Sequence, residues 1–189
     1  MIDPNTRKRL LELARKAVQA EVRGGPAPDL TAYADIEVPH SGAFVTLHKD
    51  GHLRGCIGTF RPLGTIAQTI AEMGRSAVHD PRFVVMPLRA ADLPDVQIEI
   101  SVLGPLEPTD DPLSLETGRH GIYVRRGYAG GCFLPQVATE QGWDAETFLT
   151  ECCRGKAGLA PDAWKQPGTE VSLFTAEVFG EADPDAGRD

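Results

Sequence analysis

Asp50-Gly51 stands between two apolar stretches, Gly42 to Lys49 and Leu53 to Ile57. A two-residue connection joins antiparallel strands, and Asp-Gly suits its left-handed backbone, so this region is predicted to be a β-hairpin. Gly121 to Arg125 and Gly131 to Leu134 predict a second hairpin around a glycine-rich turn. Hairpins outnumber strand–helix–strand units. The predicted class is therefore α+β, a largely antiparallel sheet with flanking helices, in two closely packed subdomains.

The remaining elements follow from periodicity and caps. Asp3-Pro4 starts a helix to about Val22, with Leu10, Leu11, Leu13, Ala14, Ala17 and Val18 at helical spacing. Pro62 to Val78 reads as a helix stopped by Asp80-Pro81, and Val96 to Leu106 as an alternating strand. Gln136 to Gln141 predicts a short helix, and Asp144 caps another that buries Phe148, Leu149, Cys152 and Cys153. Glu170 to Phe179 predicts a last strand. Residues 1–180 form one predicted domain, with a subdomain break near 104–112, and 181–189 an acidic, disordered tail.

Composition bounds the function. No run of about 18 apolar residues exists to span a bilayer, and Met1 to Asn5 lacks the features of a signal peptide. The expected compartment is the cytoplasm, with four reduced cysteines. A net charge of −8 argues against nucleic-acid binding. Charge is uneven, however. Leu53 to Arg89 holds five arginines against Glu72 and Asp80, while Pro161 to Asp189 holds seven acids against two bases. The arginine excess is either a small-anion site or ordinary surface charge.

That basic region contains Leu53-Arg54-Gly55-Cys56-Ile57-Gly58-Thr59. Two glycines let the backbone bend and be approached closely. A thiol near a guanidinium and a helix start forms thiolate more readily. Cys56 is thus either a nucleophile or a small buried hydrophobe. As a nucleophile it would use N–H groups at Gly58 and Thr59 for an oxyanion and His79 or His120 as base. Thr59 alternatively caps the helix that follows. Arg54 and Arg82 suit a carboxylate or phosphate clamp, or Arg82 pairs with Asp80 or Glu99. Alternation puts Gln97, Glu99 and Ser101 on the wetter face of their strand. His48 and His52 flank the hairpin turn as surface residues. Gln136, Glu140 and Trp143 either line a pocket or cap a core. There is no Cys-x-x-Cys, no His-Glu-x-x-His and no nucleotide-binding glycine motif, so neither a metal nor a cofactor is expected.

The Leu53 to Thr59 stretch resembles the signature of the AMMECR family, whose bacterial and archaeal members are called AmmeMemoRadiSam system protein A. Further pieces match in order: Asp80-Pro81-Arg82-Phe83, Glu99 to Leu103, His120-Gly121-Ile122, Leu134 to Ala138, Glu140 to Asp144 and Lys156 to Leu159. The resemblance runs from about Gly42 to Trp164. Cys132 and Arg154-Gly155 depart from the pattern. The resemblance implies a two-part α+β protein working beside a Memo-type protein and a radical S-adenosylmethionine protein. It supplies no established reaction, and any radical iron–sulfur cluster would belong to the partner.

Two functions fit. In the first, Cys56, with His120, carries catalysis on a small anionic or carbonyl substrate held by Arg54, Gly55, Gly58, Thr59, Arg82, Glu99 and Gln136. In the second, the chain is a non-catalytic adaptor, which calls for an exposed apolar patch.

Overall fold

Asp3 accepts a hydrogen bond from the Thr6 N–H and starts α1 (Pro4–Arg23), which Gly24 ends in left-handed conformation. This computed structural model describes residues 1–183. It divides into two units: residues 1–103 with the described residues from Glu177 onward, and residues 104–176.

In the first unit, β1 (Ala43–Lys49) and β2 (His52–Thr59) form the expected hairpin. Asp50 and Gly51 have φ of 53° and 75°, the left-handed pair that such a turn needs. β3 (Val96–Leu103) pairs with β1 on its other side, leaving β2 at an edge. Val45, Leu47, Ile98 and Ile100 point to one face and pack with Leu10, Leu13, Ala17, Ile66 and Ile70 of α1 and α2 (Ile66–Val78).

α2 starts four residues later than the predicted helix. Gly64 at φ 97° breaks the backbone, and Thr65 and Gln68 form a reciprocal capping box. Thr65→Ala is expected to cost about 1 kcal/mol, lowering the melting temperature by about 2–4 °C. Thermal unfolding followed by circular dichroism checks this, and an unchanged midpoint would remove the box from the account.

The second unit contains β4 (Glu107–Thr109), β5 (His120–Arg126), β6 (Ala129–Phe133) and the first residues of β7 (Glu170–Gly180), all paired antiparallel. β3 stops at Leu103, short of the expected Leu106, at Gly104-Pro105. α3 (Pro135–Gln141) and α4 (Ala145–Cys152) are as the caps predict, and Asp144 accepts from the Thr147 N–H. α4 continues as a π-type turn through Ala157 before Gly158 ends it. The core centres on Phe148, stacked on Phe133 at 5.6 Å, with Ile122, Leu149 and Val171.

Glu181 lies in the stretch predicted as tail. It is bonded to the Arg15 guanidinium and, at 2.8 Å, to the Ile98 N–H. Residues 184–189 of that stretch fall outside the described residues. No helix among the described residues is long and apolar enough to cross a membrane.

Candidate functional site

Gly55 and Cys56 look in opposite directions. A Cβ on Gly55 would lie 2.1 Å from the Ala77 carbonyl oxygen of α2, so Gly55 faces the helices. Cys56 therefore lies on the other face, opposite Thr46 of β1, which is itself opposite Glu99 of β3. The Thr46 hydroxyl donates to Cys56 Sγ at 3.3 Å. Thr46 is buried, and Cys56 and Glu99 are half-buried.

The backbone of Cys56 is held from outside the sheet. Its N–H donates to Asp80 Oδ2 at 2.9 Å, and its carbonyl accepts from Arg82 Nη2 at 3.3 Å. Asp80 also accepts from the Arg82 N–H and, at 2.6 Å, from Arg82 Nη2. The Arg82 bond, opposed by desolvation and helped by the two backbone N–H groups, lowers the Asp80 pKa to about 2. The same pairing raises that of Arg82. Asp80-Pro81-Arg82 thus closes the open edge of β2 at Cys56, where unpaired backbone groups would otherwise invite another strand.

The clamp extends along the edge. Arg54 Nη2 donates to the Met86 carbonyl. Arg54 makes no ion pair among the described residues, and its Nε is buried without a partner there. Because Cys56 turns its backbone groups outward, ladder alternation turns those of Gly58 outward too and those of Thr59 toward β1. A Cβ on Gly58 would lie 2.1 Å from the Phe44 ring, so that ring covers the residue's face.

Three expectations need correction. Cys56 is not beside a helix start, since Thr65 caps α2 and the thiol faces away from that helix. Thr59 is not that cap either. Its hydroxyl accepts from the Arg61 N–H and donates to the Arg61 carbonyl, closing a local turn. Arg82 takes the Asp80 partnership rather than Glu99. Ser101, expected on a wetter face, is fully buried.

His120 and Gln136 belong to the second unit. His120 Nδ1 accepts from the Glu116 N–H at 3.0 Å, so a neutral His120 carries its proton on Nε2. Gln136 lies in the first turn of α3, half-buried. His79 Nε2 is bonded to Glu21 at 2.8 Å.

All four cysteines are unbridged. Burial pushes the Cys152 and Cys153 thiols up, which makes them inert at neutral pH. Among the described residues no group of three or more His, Cys, Asp or Glu side chains is placed to hold a metal ion. A hollow of about 320 Å³ lies between the loop after α1 and α2, lined by Ala27, Leu30, Leu63, Ala71 and Arg75 among others. Its arginine is already bonded to Glu21.

Thr46 is the residue that sequence reasoning missed. Counting back from the Asp50-Gly51 turn sets Thr46 opposite Gly55. A bulge between Leu47 and His48 moves it opposite Cys56.

The sequence model of the AMMECR1 family matches residues 11–179. A protein of Methanothermobacter thermautotrophicus is 42% identical over 182 residues, covering 91% of this chain and 92% of that one. Protein MK0488 of Methanopyrus kandleri is 40% identical, covering 93% and 88%. The crystal structure of uncharacterized protein PH0010 from Pyrococcus horikoshii superposes with a TM-score of 0.87 at 34% identity, covering 98% of this chain and 96% of that one.

Proposed function

This chain belongs to the AMMECR1 family, and on that premise we propose that it carries a reactive thiol, Cys56, for a small carbonyl or anionic substrate. It does so as one component of a system with Memo-type and radical S-adenosylmethionine partners in the reducing cytoplasm. The observation that supports this reading is the fixing of Cys56 on both sides. Asp80 and Arg82 hold its backbone, and the Thr46 hydroxyl donates to its sulfur. A donor to sulfur and a nearby guanidinium favour the anion over the thiol.

In the proposed step the thiolate adds to a carbonyl carbon and forms a C–S bond. The π pair moves to oxygen, which takes up the proton the thiol released, giving a hemithioacetal. The Gly58 N–H is the donor for that oxygen. Arg54 holds an anionic group of the substrate. Thr46 and Glu99 stand in the row that carries the proton. His120, whose Nδ1 accepts from the Glu116 N–H, takes no part in this step.

Iodoacetamide labelling across pH tests this on the folded chain. Cys56 is expected to react fastest, at half its maximal rate below the ordinary thiol value of about 8.5. Cys56→Ser removes that label. Thr46→Val raises the midpoint by about one unit, the worth of a hydrogen bond to a charged group. Protection of Cys56 in the folded state, or a midpoint at or above the ordinary value, ends the nucleophile reading.

A second reading, the adaptor, is favoured by a separate observation. Val84, Val85 and Met86 are consecutive and 75%, 83% and 53% exposed.

A further inference from the structure

Soluble proteins scatter exposed apolar side chains singly, and a contiguous set marks a contact surface. Val84-Val85-Met86 is such a set. It follows the Asp80–Arg82 clamp directly and is not slack. Pro81–Phe83 forms a tight turn, and the Met86 N–H donates to the Phe83 carbonyl at 2.8 Å. Asp80 anchors one end to Cys56, and Arg54 anchors the other at the Met86 carbonyl. A strap pinned at both ends presents its apolar residues already ordered, which lowers the entropy lost on docking.

Its charges narrow the occupant. Arg82 is half-exposed, and Arg54 and Arg89 flank Met86 without an ion pair among the described residues. The arginine rim calls for carboxylates opposite it. The hollow between the loop after α1 and α2 does not offer them to a second copy, because Arg75 lines it beside Glu72, and three apolar residues would hardly enter a bilayer. From this we infer that residues 82–87 are the docking surface for a different protein, one with an apolar hollow rimmed by carboxylates. This inference rests on the reading that the chain acts with a partner and holds whether or not Cys56 reacts. The strap bonds directly to Cys56 and Arg54, so docking loads the same hydrogen bonds that hold the thiol.

The test places a benzophenone amino acid at Val85 of the full chain in its native host, with Tyr128 as the control position. Irradiation is expected to yield an adduct at 85 that is absent at 128. The crosslinked protein is then purified and titrated with the wild-type chain and with Val84→Ser/Val85→Ser and Arg89→Glu. The first variant should weaken binding at least tenfold, and the second should weaken it and flatten its salt dependence. Iodoacetamide labelling of Cys56 in each variant reports the thiol separately, so loss of docking with Cys56 reactivity unchanged overturns nothing about the thiol. Absence of an adduct overturns the proposal. So do an adduct with a second copy of the chain, equal affinity for all variants, or binding to vesicles of anionic lipid in place of a protein.

Discussion

Replacing Asp80 with alanine should destabilise the protein by about 3 kcal/mol, the lower end for breaking a buried ion pair. The carboxylate side chain is 1% exposed and accepts from both the Cys56 N–H and the Arg82 side chain. Alanine leaves the Cys56 N–H without its acceptor. The Arg82 side chain is 47% exposed, so it regains water and keeps the loss from growing further. Asp80→Asn retains the shape and one acceptor oxygen and should lose about half as much. The pH dependence has a definite sign. Asp80 has a pKa of about 2 in the folded chain against an ordinary 3.8. The folded-state carboxyl is the stronger acid, so its contribution is complete above about pH 4 and fades as pH falls toward 2. Asp35, paired with Arg9 on the surface, titrates in the same range. The difference between wild type and Asp80→Asn in urea unfolding isolates Asp80. If both lose stability in parallel between pH 4 and pH 2, the clamp is not energetically significant.

Gly55→Ala should be equally severe for a different reason. Its Cβ would sit 2.1 Å from the Ala77 carbonyl oxygen, an atom of the α2 backbone. No rotamer relieves that contact, so α2 must move away from the sheet, at a cost of about 3 kcal/mol. For a chain of this length the melting temperature falls by about 6–12 °C. Gly58→Ala meets the Phe44 ring at a similar distance, but a side chain can yield. It should cost roughly 1 kcal/mol. Calorimetry on the two variants compares them. A Gly55→Ala midpoint within about 2 °C of wild type would sink the packing argument. Gly55 therefore serves the fold, while Cys56, its neighbour, faces the candidate site.

Most of the secondary structure was legible because its signals are local. Asp50-Gly51 announces a turn whatever surrounds it, and the apolar stripe from Leu10 to Val18 needs only a neighbour to cover it. Asp3 and Asp144 act as caps within a few residues of themselves. Where the reading slipped, a nearby backbone detail had won. Gly64 and Thr65 delay α2, and Gly104-Pro105 ends β3 early.

The sequence by itself determined the class of fold, the hairpins and the family. It also marked Cys56, Arg54 and Arg82 as neighbours in a basic stretch. What Cys56 faces was decided only in three dimensions. In an unbulged hairpin Cys56 would pair with Val45, whose side chain lies in the core. The bulge between Leu47 and His48 shifts the register by one residue and sets it opposite Thr46 on the other face. Side chains alternate along a strand, so a one-residue shift exchanges the two faces. No local pattern in the chain encodes that shift. It is fixed by Gly55 fitting under α2 and by Asp80, 24 residues away, bonding to the Cys56 N–H.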